Sequence, residues 1–188
     1  MPITSKKIAL GVLAAASTVA LLAGCSAAPS TSTGAAKSKY LPCVVGDTGG
    51  FSDHSFNELT LNGVVAAAKQ IGSSYKKVAS ATSDDLVPGI ASLIAEKCNI
   101  IAAPGFDFEK PVGDAAKANP KTNFAIIDDN TLSLPNVKDI VFETDEAAFI
   151  GGYIAASYSK TGVVATWGGA QYPSVTIYED GIADGIAY

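Results

Sequence analysis

From Tyr40 onward the chain alternates short apolar runs with helix-length amphipathic segments, and this alternation constrains the fold more than any other feature. Leu41 to Val45, Tyr75 to Ser80, Asn99 to Ala103, Asn123 to Ile127, Asp139 to Phe142 and Gly162 to Trp167 read as strands. Between them lie helical patterns from Phe56 to about Gly72, from Leu86 to Lys97, from Phe106 to Asn119 and from Asp145 to Tyr158. A last one runs from Pro173 to Tyr188, with Gly181 and Gly185 spaced for close packing. Near-continuous apolar strands separated by helices imply a parallel sheet covered on both faces, so the fold class is α/β.

Two segments precede this region. Lys6 and Lys7 lead into the apolar stretch Ile8 to Gly24, which is short for a membrane-spanning helix. It ends at Leu22-Ala23-Gly24-Cys25, which resembles the lipobox of bacterial lipoprotein signals. Residues 1–24 are therefore expected to be a signal peptide and Cys25 the lipidated residue. The alternative is an ordinary secretory signal with a chance cysteine. Residues 25–39, rich in Ser, Thr, Ala and Gly, read as a flexible tether. On this reading the mature protein is extracytoplasmic and held at the cell membrane by lipid.

The 188 residues hold 18 acidic and 13 basic side chains, for a net charge of −5, and every basic residue is lysine. Nucleic-acid affinity comes from neutralising phosphates, so an acidic chain is a poor candidate for it. Without arginine there is no bidentate clamp for phosphate or carboxylate. Cys43 and Cys98 allow two readings: a disulfide in an exported protein, or two buried thiols.

The stretch Val44 to Glu58 reads as strand, glycine turn and helix. Ser55 and Glu58 have capping-box spacing, and Phe56, Leu59, Val64, Ala68 and Ile71 recur at helical intervals. Asp47, Gly105-Phe106, Asp128 and Gly168-Gly169 all follow strand-like runs. In a parallel sheet such positions share the carboxyl edge, where ligands bind. Taken singly, Asp128-Asp129 is an ordinary turn or cap. No nucleophile motif, phosphate loop or zinc motif is present, and nothing calls for a cofactor or metal. Asp53-His54-Ser55 forms an acid-base-nucleophile trio on paper, but adjacent turn residues rarely aim at one atom. No catalytic residue is assigned. The chemistry left is recognition. Asn57 has donors and an acceptor, Asp128 accepts, and Phe51, Phe106 and Trp167 have aromatic faces. The candidate ligand-binding residues are Asp47, Phe51, Asp53, Ser55, Asn57, Phe106, Asp128 and Gly169, a set suited to a planar heterocycle with edge N–H groups.

Gly46-Asp-Thr-Gly-Gly-Phe-Ser-Asp-His-Ser-Phe-Asn-Glu58 resembles the signature of the basic membrane protein family, lipoprotein substrate-binding components of ABC transporters. The likeness continues through Ile101 to Phe106, Asn123 to Asp128, Phe142 to Ala156, Lys160 to Val164, Gly168-Gly169 and Gly181 to Gly185. The resemblance implies a type I periplasmic-binding-protein fold, with residues 40–158 as a first lobe and 159–188 as the start of a second. It implies a purine nucleoside as ligand and an ABC permease and ATPase as partners. It also implies base contacts by Asn57 and Asp128, and a phenylalanine from each lobe around the base. Gly46 departs from the family, where some members carry an aromatic residue, and Phe51 or Phe106 would have to substitute. Family chains continue past the position of Tyr188 to the groups that hold the ribose. The 188-residue chain is therefore expected to be a truncated form that binds nucleoside weakly or not at all. Two further readings are a surface lipoprotein with a sensing or adhesive role, and a sugar receptor of the same fold.

Overall fold

The computed structural model describes residues 38–188; the expected signal peptide, Cys25 and most of the tether lie outside them. Five parallel strands form one sheet: β1 (Pro42–Gly46), β2 (Lys76–Ala79), β3 (Ile100–Pro104), β4 (Asn123–Ile127) and β5 (Val137–Ile140). Helices α1 (Phe56–Gln70), α2 (Leu86–Ala95) and α3 (Glu109–Ala118) connect the first four strands. Helices α4 (Thr144–Tyr158) and α5 (Pro173–Ala187) follow β5. The strand order is β2-β1-β3-β4-β5. The chain first crosses from β1 to one side and then returns to the other, so the topological switch lies between β1 and β3.

The two faces of the sheet are covered unequally. On one, Cys43, Val45, Ile101, Ala103, Phe124 and Ile126 meet α2 and α3. Leu86, Ile90 and Leu93 of α2 and Val112 and Ala116 of α3 lie at helical spacing and are buried, with Phe108 completing the layer. The opposite face has α1, which packs on β1 and β3. Only Asn57 and Ala68 of α1 are buried, whereas Leu59 is 69% exposed. The apolar positions of α1 have the spacing of a core face, but the structure uncovers much of that face. Phe56, Leu59, Ile127, Ile140 and Phe142 instead line an open groove.

Cys43 and Cys98 are joined, with Cα atoms 6.0 Å apart, which decides between the two readings left open by the sequence. The bridge spans 55 residues and ties β1 to the approach of β3. Asn136 fastens the other end of the sheet. Its amide donates to the carbonyls of Ala116 (3.0 Å), Asn119 (3.3 Å) and Thr122 (2.9 Å). That knot starts β5 two residues earlier than the apolar run Asp139 to Phe142 suggests, pairing Val137 with Phe124.

One expected strand is absent. Gly162 to Trp167 forms neither helix nor strand, and Trp167 is 85% exposed. A strand needs a neighbour to pair its backbone, and all five described strands pair only with one another. Helix α4 packs on α5, and the fit rests on glycine. A Cβ on Gly152 would collide with the Ile182 carbonyl, and one on Gly185 with the Phe149 carbonyl. The break expected after Tyr158 therefore falls between two helices that pack on each other.

Removing the bridge by Cys43→Ser with Cys98→Ser should cost on the order of 2–5 kcal/mol, as for the loss of a native disulfide from a small domain. Denaturant unfolding of oxidised wild type and the double variant measures it. Gly185→Val should separate α4 from α5 and cost at least about 1–3 kcal/mol, as overpacking does. Thermal unfolding reads that loss.

Candidate ligand-recognition edge

The loop leaving β1 is built around one buried amide. Asn57, 2% exposed, accepts from the Asp47 N–H at 2.9 Å through Oδ1. Its Nδ2 donates to Asp47 Oδ1 at 2.7 Å and to Asp53 Oδ2 at 2.9 Å. Two carboxylates that could have shared a cation are bridged by the Asn57 amide instead. Among the described residues, no group of three or more His, Cys, Asp and Glu is placed to hold a metal ion. Both amide hydrogens of Asn57 are spent. Presenting a donor to a ligand, the role expected of Asn57, would require breaking one of these bonds.

Asp53 is the cap of α1. Its Oδ1 accepts from the N–H groups of Ser55 and Glu58, both at 3.0 Å, and its Oδ2 from that of Asn57 at 3.0 Å. The expected capping box is therefore corrected: the Ser55 side chain makes no cap bond, and Asp53 satisfies the orphan amides. Glu58 does reach back, but to the N–H and Nδ1 of His54. A serine hydroxyl accepts for one amide, whereas a carboxylate two residues earlier spans three. Partial burial pushes the Asp53 carboxyl upward, but the bonds from Glu58, Ser55 and Asn57 outweigh it and hold it far below the usual range. His54 has a left-handed backbone and an exposed ring turned to Glu58. The Asp53-His54-Ser55 trio thus does not assemble.

Gly46 explains where Phe51 goes. A Cβ there would stand 3.0 Å from the Phe51 ring and 3.1 Å from Asn57 Oδ1. The ring lies over that bare backbone, and Lys77 Nζ sits 5.3 Å from its centroid. Phe106 stands at the end of β3, lifted by Gly105 at φ 104°. A Cβ on Gly105 would be 3.7 Å from Asp47 Oδ2, so this turn borders the switch point. Phe106 stacks on Tyr172, with centroids 4.3 Å apart and planes at 26°.

The adjacent acids at the end of β4 take different roles. Asp129 is buried, and its Oδ1 accepts from the Thr131 N–H and hydroxyl, each at 2.8 Å; it makes the turn. Asp128 adopts φ 69° and donates its N–H to the Ile140 carbonyl at 2.8 Å, which directs its side chain to a cavity of about 440 Å³. Phe56, Phe142, Trp167 and Ser174 also line that cavity. Burial raises the Asp128 carboxyl above its ordinary range; Ser174 pulls it partly back and the Asp129 charge adds to the rise. The Ser174 hydroxyl approaches without closing a well-formed hydrogen bond and is buried without a partner. An underused carboxylate and an unpaired hydroxyl at one cavity wall suit the polar edge of a ligand. Gly168 borders the cavity, while Gly169 has open space around it.

Of the eight expected residues, Asp47, Asp53, Ser55 and Asn57 build the first loop, with Phe51 laid over it. Phe106 and Asp128 face the cleft edge, and Gly169 lies on the connection before α5. Ser174 and Tyr172, which stand beside Asp128 and Phe106, are not among the eight. The signal for them was Tyr172-Pro173-Ser174, a helix start with proline at the first position, following the flexible Gly168-Gly169.

Asp53→Ala should lower the melting temperature by a few degrees at neutral pH, because three helix-start amides lose their acceptor. The native Asp53 carboxyl is depressed, so its contribution is complete above about pH 4, the unfolded value. It is lost as pH falls toward the native value. Thermal unfolding at neutral pH and below pH 4 should show the gap between wild type and variant narrowing with acid.

A family model described as ABC transporter substrate-binding protein PnrA-like matches residues 42–188. The ABC transporter nucleoside-binding protein BmpA of Lactococcus lactis subsp. cremoris is 31% identical over 183 residues, 95% of this chain and 52% of that protein. Basic membrane protein A of Borreliella burgdorferi is 32% identical over 146 residues, 74% of this chain and 42% of that protein. Among solved structures, an ABC transporter solute-binding protein from Aeropyrum pernix superposes with a TM-score of 0.65 at 26% identity. That match covers 79% of this chain and 43% of the other. The chain thus spans about half the length of the relatives it matches. The family model, the L. lactis relative and the A. pernix structure are described as substrate-, nucleoside- and solute-binding proteins of ABC transporters, and the parallel sheet is that of the periplasmic-binding-protein fold. The chain belongs to the Bmp family of PnrA-like ABC transporter substrate-binding proteins.

Proposed function

We propose that the chain contributes the first lobe and the start of the second of a lipid-anchored, extracytoplasmic receptor that binds purine nucleosides and delivers them to an ABC permease and its ATPase. The observation that carries the reading is Asp128. Its carboxylate, raised by burial, stands with the unpaired Ser174 hydroxyl on the wall of an aromatic-lined cavity. A purine presents edge N–H groups to an acceptor and a flat face to aromatic rings, matching both parts of that wall. The L. lactis relative is named for nucleoside binding, which supports the same ligand class. Asp47, Asp53 and Asn57 are assigned to holding the loop that supports the site. We place the lobe boundary ahead of α4, because α4 packs on α5. Cys25 is proposed as the lipidated residue; relatives from two Pyrococcus species carry the name lipoprotein.

Binding is tested by NMR titration of the 188-residue chain with adenosine, guanosine and inosine to millimolar concentration. Shifts confined to the cleft edge are expected, with fast exchange reflecting weak affinity. If neither this chain nor a longer version that includes the remaining half of the relatives' length binds any of the three, the reading is overturned. Asp128→Ala should weaken binding by roughly tenfold or more, the usual loss for a hydrogen bond to a charged group. Because burial raises this carboxyl, affinity should begin to fall at a pH above the ordinary aspartate value of about 3.9. In cells, Cys25→Ser should abolish incorporation of labelled palmitate.

A further inference from the structure

We infer that Asp139 is a pH sensor built into the corner between β4 and β5: its ionised carboxylate, set beside Asp129, loosens the corner that carries Asp128, and its protonated form tightens it.

Strand alternation assigns this position to the core. In β5, Val137 and Asp139 are half-buried, whereas Lys138 and Ile140 are exposed. Val137 packs against the core layer, and Asp139 stands in register with the fully buried Ile126. Leu132 and Leu134 bring the connection between β4 and β5 down on that same layer. The fit is close, since a Cβ on Gly113 of α3 would lie 3.1 Å from the Leu132 side chain. Asp139 thus puts a carboxyl group where a hydrocarbon would fit. Its Oδ1 is buried without a hydrogen-bond partner among the described residues. A charge so placed is costly unless it is paired.

The charged neighbours do not pair it. Asp129, itself buried, forms an isolated bridge with Ile140, the residue after Asp139. Its carboxylate is turned to the Thr131 N–H and hydroxyl. Asp128 faces the cavity, Lys138 is exposed on the other side of β5, and Lys110 and Asp114 of α3 engage each other. Burial pushes the Asp139 carboxyl above its ordinary range; the Asp129 charge adds to the rise and Lys138 offsets part of it.

The effect reaches Asp128 through the backbone. The Asp128 N–H donates to the Ile140 carbonyl at 2.8 Å, and the Val137 N–H to that of Leu134 at 3.1 Å. Opening these bonds lets water reach an ionised Asp139, so ionisation favours opening. The folded carboxyl is raised above the unfolded value of about 3.9, so stability rises as pH falls through the folded value and the gain is complete below the unfolded one. Asp53 behaves in the opposite sense. Acid therefore tightens the β4–β5 corner before it weakens the start of α1.

Carbon-13 NMR of the aspartate carboxyl groups in the 188-residue chain follows Asp139 directly. It should titrate above the ordinary value of about 3.9, and Asp129→Asn should bring it down. Amide hydrogen exchange reads the corner. Corrected for intrinsic exchange, protection at Asp128 and Val137 should rise roughly threefold or more from about pH 7 to about pH 5, with the β1 amides unchanged. Asp139→Asn removes the charge, and should raise that protection at neutral pH and abolish its change with acid. Asp139→Leu, the hydrocarbon that alternation calls for, should raise the melting temperature at neutral pH. An Asp139 carboxyl that titrates at or below the ordinary value overturns the sensor, as does an equal acid response in Asp139→Asn and wild type. An Asp139 titration unmoved by Asp129→Asn overturns the part assigned to Asp129.

Discussion

The amide of Asn57 is the point on which the carboxyl edge of the sheet depends. It is on the first turn of α1, yet two of its three side-chain bonds go to Asp47, the residue that leaves β1. The third goes to Asp53, which in turn accepts three backbone amides of the helix start. Strand end, loop and helix are thereby joined through one side chain that water hardly reaches. A buried amide with every hydrogen used is costly to disturb, because breaking any bond leaves a polar group unsatisfied. The loop between Gly46 and Phe56 is therefore a rigid corner, and Gly46 lets the Phe51 ring settle on it. The corner holds the β1 side of the switch point still while the β4 side keeps unspent polar capacity.

Where a residue's role came from local pattern, the sequence was a sound guide. β4 was readable to the residue, since Phe124 and Ile126 face one layer and Asn123 marks the start. The glycine pair Gly181 and Gly185 was readable too, because a four-residue spacing of small residues has one packing use. Roles set by competition between neighbours were harder. Ser55 and Glu58 had the spacing of a capping box, but Asp53 was close enough to take the amides, and a carboxylate outcompetes a hydroxyl. Asn57 is expected to contact a ligand because its donors are visible in the sequence, whereas their engagement by Asp47 and Asp53 is visible only in the fold. Gly162 to Trp167 had strand composition, but pairing is a property of the neighbour. Tyr172 and Ser174 had no signal beyond a helix start, since their meaning comes from contact with β3 and β4, far away in the chain.

The uneven covering of the sheet follows from the same topology. The face holding Cys43, Val45, Ile101 and Phe124 is closed by two helices, a disulfide and the Asn136 knot. The other has α1 near β1 and β3, so Ile127 and Ile140 at the β4–β5 end meet only the fringe of that helix. At the β2 edge, Lys76 and Lys77 discourage pairing with another strand, as edge lysines do. The β5 edge has Lys138 in the same position. Solubility is thus defended along the edges, while the apolar groove beside α1 remains open.

The proposed recognition edge joins groups carried by the sheet to groups carried by the start of α5. Phe106 and Asp128 are fixed by adjacent strands, in register through Pro104 and Ile127. Ser174 lies in the first turn of α5, and Tyr172 caps that helix, its carbonyl accepting from the N–H groups of Val175 and Thr176, both at 2.9 Å. On the proposed reading, Asp128 sets where a ligand's edge lies, and the Ser174 hydroxyl stands on the same cavity wall. Stacking alone is tolerant of identity, because every base has a π-face. Discrimination must therefore come from the carboxylate and hydroxyl, whose burial makes an unmatched ligand edge expensive. On that reading, a flat ligand without an N–H donor would meet the aromatic lining of the cavity yet leave Asp128 and Ser174 unpaired. Such a ligand should be excluded by the polar wall and not by the aromatic one.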